Sequence, residues 1–178
     1  MHRIIDWINR ERPPRFFPLS NFKRLTDEIK PCDILLVEGR SRVSDVIRWL
    51  TNSPWTHAAL YVGRHDQIKD SKLQAAIDSQ YRGSQEDGLI VESLLGQGTI
   101  IRALSVYEHE HLRICRPSGL SGEDEQRVLE HAIGQVGLDY DVRQILDLAR
   151  FLFPWLIFPK KWASTLFLRS LGRPKKTV

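Results

Sequence analysis

The chain has 178 residues, of which 42% are hydrophobic and 27% charged, with 11 Gly and 9 Pro. That balance excludes a disordered, collagen-like or low-complexity polypeptide and supplies one domain's worth of core. Two cysteines, Cys32 and Cys115, exclude a disulfide framework and a four-cysteine zinc site, and a net charge of +4 falls short of a nucleic-acid signature.

Residues 1–30 read as an N-terminal extension, with a short helical run near 4–8 and a break at Pro13-Pro14. Arg3, Arg10, Glu11, Arg12 and Arg15 interrupt every apolar run there, so no signal-peptide core can be drawn and a cytoplasmic chain is expected. A domain spanning 31–178 follows, with no composition shift to mark a second one. Its first element, 34–37, is a continuous aliphatic run bounded by Pro31 and Gly39, which predicts a strand buried on both faces. Ser41 is placed to cap a helix whose Val43, Val46, Ile47 and Leu50 recur at helical spacing, an apolar stripe expected to face the core. Asn52-Ser53-Pro54 ends it.

The next strand, 56–62, alternates, with Ala58, Leu60 and Val62 on one face and His57, Ala59 and Tyr61 on the other. A helix is predicted around 73–79, then a hairpin of strands 89–94 and 99–104 joined through Gly96 and Gly98. A strand at 111–116 should point the small Cys115 side chain into the core. Ser121 and Asp124 form a capping-box pattern opening a helix that runs through Val128, Leu129, Ala132, Ile133 and Val136 to Gly137. Further helices are predicted over 141–153 and 161–171.

The chemistry concentrates at Ser53-Pro54-Trp55-Thr56-His57, which mounts an imidazole at the mouth of a strand behind a rigid turn. Glu92 stands in an otherwise apolar strand, where an unpaired carboxylate would be costly to bury. It needs a partner, and His57 on a neighbouring strand would serve. No metal-ligand constellation is present, since His109 and His111 fall on one strand face with Glu108 and Glu110 opposite; no phosphate-cradling Gly-rich motif occurs, and no cofactor is expected. Arg40, Arg42 and Arg48 with Trp49 and Trp55 could form a nucleic-acid surface, but a solvated helix face with core tryptophans explains them more simply. The apolar stretch 151–158 is too short to span a bilayer and suits a buried helix end or, beside Arg150, Lys160 and Lys161, a peripheral membrane contact.

The strand Pro31-Cys32-Asp33-Ile34-Leu35-Leu36-Val37, the motif Ser53-Pro54-Trp55-Thr56-His57-Ala58-Ala59-Leu60-Tyr61-Val62-Gly63, the Val91-Glu92-Ser93 triplet and Tyr140-Asp141 together resemble the permuted papain-like amidase family. That family includes bacterial YiiX-like proteins and is related to the lecithin:retinol acyltransferases. The resemblance covers 31–178 and implies an α+β fold, a circularly permuted antiparallel sheet packed on helices with a helical C-terminal part. It implies a cysteine amidase, hydrolase or acyltransferase, with His57 as general base and Glu92 as its orienting partner, acting on amide or ester bonds of a peptide, peptidoglycan or acyl-lipid substrate. The family's nucleophile is a cysteine opening a late helix. Here no cysteine follows Cys115, the chain stops near where that helix should begin, and Cys32 stands where the family usually has Gly. The expectation is therefore a domain incomplete at its C-terminus, the alternative being an inactive lipid- or peptide-binding domain of the same fold.

Overall fold

A computed structural model describes residues 7, 10–13, 19–68, 70–84, 86–94 and 96–138. They belong to one compact unit, Met1–Asp139. The helices predicted over 141–153 and 161–171, the apolar stretch 151–158 and the Tyr140-Asp141 pair lie outside the described residues.

Five strands, β1 (Ile34–Glu38), β2 (His57–Arg64), β3 (Gly88–Leu94), β4 (Gly98–Ala103) and β5 (His111–Cys115), form one sheet in the order β4-β3-β2-β1-β5. Every neighbouring pair is antiparallel. Helices α1 (Phe22–Glu28), α2 (Arg42–Thr51), α3 (Ser71–Gln80) and α4 (Gly122–Gly134) accompany it, with 3₁₀ turns at His65–Gln67 and Leu104–Tyr107. The fold is α+β. The hairpin joining β3 to β4 forms as its glycines dictate, Gly96 and Gly98 both taking positive φ.

The alternation of each strand divides the core in two. On the first face Leu35, Val37, Ala59, Tyr61, Ile90 and Leu112 pack against Leu25 and Ile29 from α1 and its end. On the second, Val62, Leu89, Val91 and Ile101 meet Leu73 and Ile77 of α3 and Ile133 of α4. Full burial of a side chain such as Leu35 or Ile90 contributes about 1.5–3 kcal/mol. Alternation along β2 sends Ala59 and Tyr61 to the first core and Leu60 and Val62 to the second, and a register shift between Tyr61 and Gly63 inserts one residue into the strand against β3.

Three expectations change. Strand β1 is buried on one face only: Leu35 and Val37 are covered while Ile34, Leu36 and Glu38 are half-buried. Helix α2 is capped by Ser41, whose Oγ accepts from Ser44 N–H, but its apolar stripe does not reach a core. Val46 is 51% exposed and Ser44 is the helix's buried residue. The reason is its anchoring: α2 docks through polar contacts, with Ser44 against Ser41 and Arg48 donating to Gly39 O at 3.1 Å, so its apolar residues are left at the margin. Helix α1, absent from the sequence reading, forms behind the Asn21 cap and sends Leu25 into the core from what was read as an extension.

Candidate active site

Asn52 ends α2 in the left-handed conformation, φ 49°, and the following turn delivers the chain to β2. Thr56 then fixes the entry: its N–H donates to Val37 O at 3.1 Å and its hydroxyl accepts from Gly39 N–H at 2.9 Å. His57 is thereby held as the first residue of β2, opposite Val37. On the other side, the Leu60–Val91 pairing continued by one step sets Ala59 opposite Glu92, which makes His57 and Glu92 diagonal neighbours on the same face.

His57 Nε2 lies 2.6 Å from Glu92 Oε2. The same oxygen accepts from the Tyr107 hydroxyl, and Glu92 Oε1 accepts from Arg102 Nη1 at 3.0 Å. The Glu92 side chain has no exposed surface, whereas that of His57 is 24% exposed. Tyr107 arrives from the 3₁₀ turn after β4, its ring 6.2 Å from the imidazole, and Arg102 is diagonal to Glu92 across the hairpin.

Burial pushes the Glu92 carboxyl up, but hydrogen bonds from His57 and Tyr107 and the charges of His57 and Arg102 outweigh it and hold the group below its ordinary value. Glu92 is thus a carboxylate. Burial, the Glu92 charge and the hydrogen bond to it push the Tyr107 phenol up, so Tyr107 stays protonated as a donor. In the neutral tautomer whose Nε2–H donates to the Glu92 carboxylate, the lone pair of the ring is on Nδ1. Among the described residues no group hydrogen-bonds Nδ1. The arrangement can accept a proton at one nitrogen while a buried anion stabilises the resulting imidazolium from the other.

Two further histidines meet carboxylates, with a different balance. His65 is buried against Asp78 at 2.8 Å, but Asp78 is mostly exposed. His111 Nδ1 contacts Glu38 at 3.0 Å, beside the Trp55 ring. Among these three carboxylates only the Glu92 side chain has no exposed surface.

Neither cysteine is near His57. The Cys32 N–H donates to Tyr61 O, four residues along β2 from His57, which is about 13 Å at ~3.3 Å per residue. Its thiol is buried, donates to Glu125 O at 3.5 Å, and is pushed up by burial and by Glu125 and Asp33. Cys32 also sits at φ 68°, the left-handed region that favours glycine. Cys115 pairs with Ile34, whose other neighbour is Leu60, so it belongs to the second face, away from His57. Its side chain is half-buried rather than in the core.

The arginine surface is largely neutralised. Arg40 forks onto Glu110, Arg48 reaches Glu38 and Asp45, and Arg42 stacks over Trp7. Trp49 is 70% exposed, not a core residue, and Trp55 is half-buried. His109 and Glu110 precede β5, in the turn before it, so the alternation read through 108–111 does not form. Among the described residues no group of three His, Cys, Asp or Glu side chains could hold a metal ion, and no helix is long and apolar enough to cross a membrane.

Comparison with protein-family models, with curated proteins and with solved structures finds no match for this chain. Sequence reasoning paired His57 with Glu92 but missed Tyr107 and Arg102. Arg102 carried a signal, a charge within an apolar strand; Tyr107 carried none, because its reach depends on the turn.

Proposed function

We propose that this chain carries the base half of a cysteine amidase or acyltransferase of the permuted papain-like type. The observation that supports the reading is the fully buried Glu92 carboxylate bonded to Nε2 of His57 at a strand mouth. In the reaction, His57 Nδ1 takes the proton of a thiol, the thiolate attacks an amide or ester carbonyl, and the imidazolium returns the proton to the leaving group. Glu92 holds the ring and offsets its positive charge; Tyr107 and Arg102 hold Glu92. The reading requires a further thiol, since the sequence holds only Cys32 and Cys115 and both are placed elsewhere. An acyl-lipid or peptide substrate, with a peripheral membrane contact at most and no nucleic acid, fits this chemistry.

The test uses the parent reading frame expressed to its natural stop codon and treated with iodoacetamide near pH 6, where only an activated thiolate reacts quickly. Rapid alkylation of one cysteine other than Cys32 and Cys115, lost in His57→Ala together with hydrolysis of a p-nitrophenyl acyl ester, is the expected result. A frame that supplies no further cysteine, or labelling indifferent to His57, overturns it. One observation favours a second reading, a non-catalytic binding domain of the same fold: both cysteines of the sequence lie away from His57. That reading predicts binding of an acyl chain or peptide with no thiol-dependent turnover.

A further inference from the structure

We infer that the outward side of α2 docks on an anionic lipid surface, with the helix lying in the headgroup region along the bilayer plane. The helix is amphipathic but mounted with its polar side inward. Ser44 is its buried residue, bonded to Ser41, and Arg48 reaches Gly39 O and Glu38. Val43, Val46, Ile47 and Leu50 belong to neither of the two cores. Arg42, Val46 and Trp49, at i, i+4 and i+7, stand in one exposed row, and Trp7, 58% exposed, lies under the Arg42 guanidinium at its start. A surface helix that faces water has the opposite arrangement, apolar side inward. The exposed apolar side chains Trp7, Val46 and Trp49 thus gather on one helix, with a tryptophan towards each end.

The charge around that row selects the partner. Segment 10–13 runs beside the start of α2, with Glu11 bridged to Ser41 and Arg12 paired with Asp45. Asp45 is shared with Arg48, and Glu11 meets Arg40. Arg10 and Arg42 pair with no carboxylate among the described residues, so the surplus is positive. An apolar row with tryptophans and unpaired guanidinium groups matches the boundary between headgroups and acyl chains in an anionic leaflet, where indole rings settle and arginines meet lipid phosphate. A nucleic-acid backbone would engage the guanidinium groups but leave Val46 and Leu50 in water. A second copy docked by the same face would bring like charges together. Ten residues make a helix about 15 Å long, which lies along a bilayer rather than across it. The row carries none of the residues that hold His57 or Glu92, so the docking is independent of the proposed chemistry.

Flotation of the 178-residue chain with phosphatidylcholine vesicles containing about 30% phosphatidylserine tests this. Binding is expected, weakening as NaCl is raised and roughly tenfold weaker on pure phosphatidylcholine. Arg42→Gln should lower the partition coefficient about fivefold and Val46→Asp or Trp49→Ala about tenfold, while His57→Ala binds as the parent does. All three positions on α2 are exposed, and urea midpoints equal to the parent's show that the variants fold. Should Trp49→Ala misfold, Arg42→Gln and Val46→Asp carry the test. Binding indifferent to these substitutions places the contact elsewhere in the chain and overturns the proposal. So do equal binding to neutral vesicles, no binding at all, dimerisation lost in Val46→Asp without vesicle binding, and affinity for duplex DNA in place of vesicles.

Discussion

Glu92 Oε2 receives both His57 Nε2 and the Tyr107 hydroxyl, so one buried oxygen joins the first residue of β2 to the turn that follows β4. Removing the carboxylate strands the Tyr107 hydroxyl. Glu92→Ala is expected to lower the unfolding free energy by about 2–3 kcal/mol, less than the ~3–5 kcal/mol of a fully buried pair because His57 and Arg102 keep access to water. Urea unfolding of the variant measures this; a loss under 0.5 kcal/mol would mean that Glu92 is not held as described.

Tyr107→Phe keeps the ring and deletes one donor to a charged acceptor, which costs about 1.5–3 kcal/mol. The same urea experiment applies. In any preparation that shows the proposed ester turnover, the variant should also lower that turnover while leaving substrate affinity nearly unchanged, since Tyr107 acts through Glu92 rather than on the substrate.

Acid should unfold the protein through two carboxylates. Asp33 is buried, which pushes its carboxyl up, yet the Arg116 fork and the Lys30 N–H together hold it below its usual value, as His57, Tyr107 and Arg102 do for Glu92. A group depressed in the folded state stabilises above its unfolded pKa, about 3.9 for Asp and 4.3 for Glu, and that contribution disappears as pH falls through the lower folded value. The urea midpoint should therefore be flat in these contributions above about pH 5 and drop below it. Asp33→Asn should be less stable at pH 7 but show a shallower acid slope; an unchanged slope would contradict the assignment.

Cys32 is a non-glycine residue at φ 68°. Cys32→Gly relieves the backbone by roughly 1 kcal/mol and loses a comparable amount of buried thiol surface, so the variant should stay within about 1 kcal/mol of the parent. Cys32→Val, β-branched in the left-handed region, should lose more than about 2 kcal/mol. Thermal unfolding of the two variants side by side decides the matter, and equal midpoints would argue against the strained turn.

The parts of this molecule that were legible in its sequence are those governed by local rules. The alternation of 56–62 set His57 on the same face as Ala59 and Tyr61, the Ser121 and Asp124 spacing produced a real capping box, and Gly96 and Gly98 marked the hairpin. The pairing of Glu92 with His57 followed from a physical demand, that a carboxylate in an apolar strand find a donor. What could not be read depends on tertiary placement. The periodicity of Val43, Val46, Ile47 and Leu50 is genuine, yet the polar anchoring of α2 through Ser44 and Arg48 leaves Val46 in water. Helix α1 is only seven residues long, too short for periodicity to announce, and exists because Leu25 and Ile29 meet a sheet assembled later in the chain. Tyr107 reaches Glu92 only because β4 ends in a 3₁₀ turn.

That turn, Leu104–Tyr107, has Leu104 buried in the first core and Tyr107 on Glu92. Four residues leave no slack between the two places. The segment is therefore a fixed-length spacer: a single inserted residue would rotate Tyr107 off Glu92 or pull Leu104 out of that core, so variation in relatives of this chain should appear there as exchanges of side chain and not as changes in loop length.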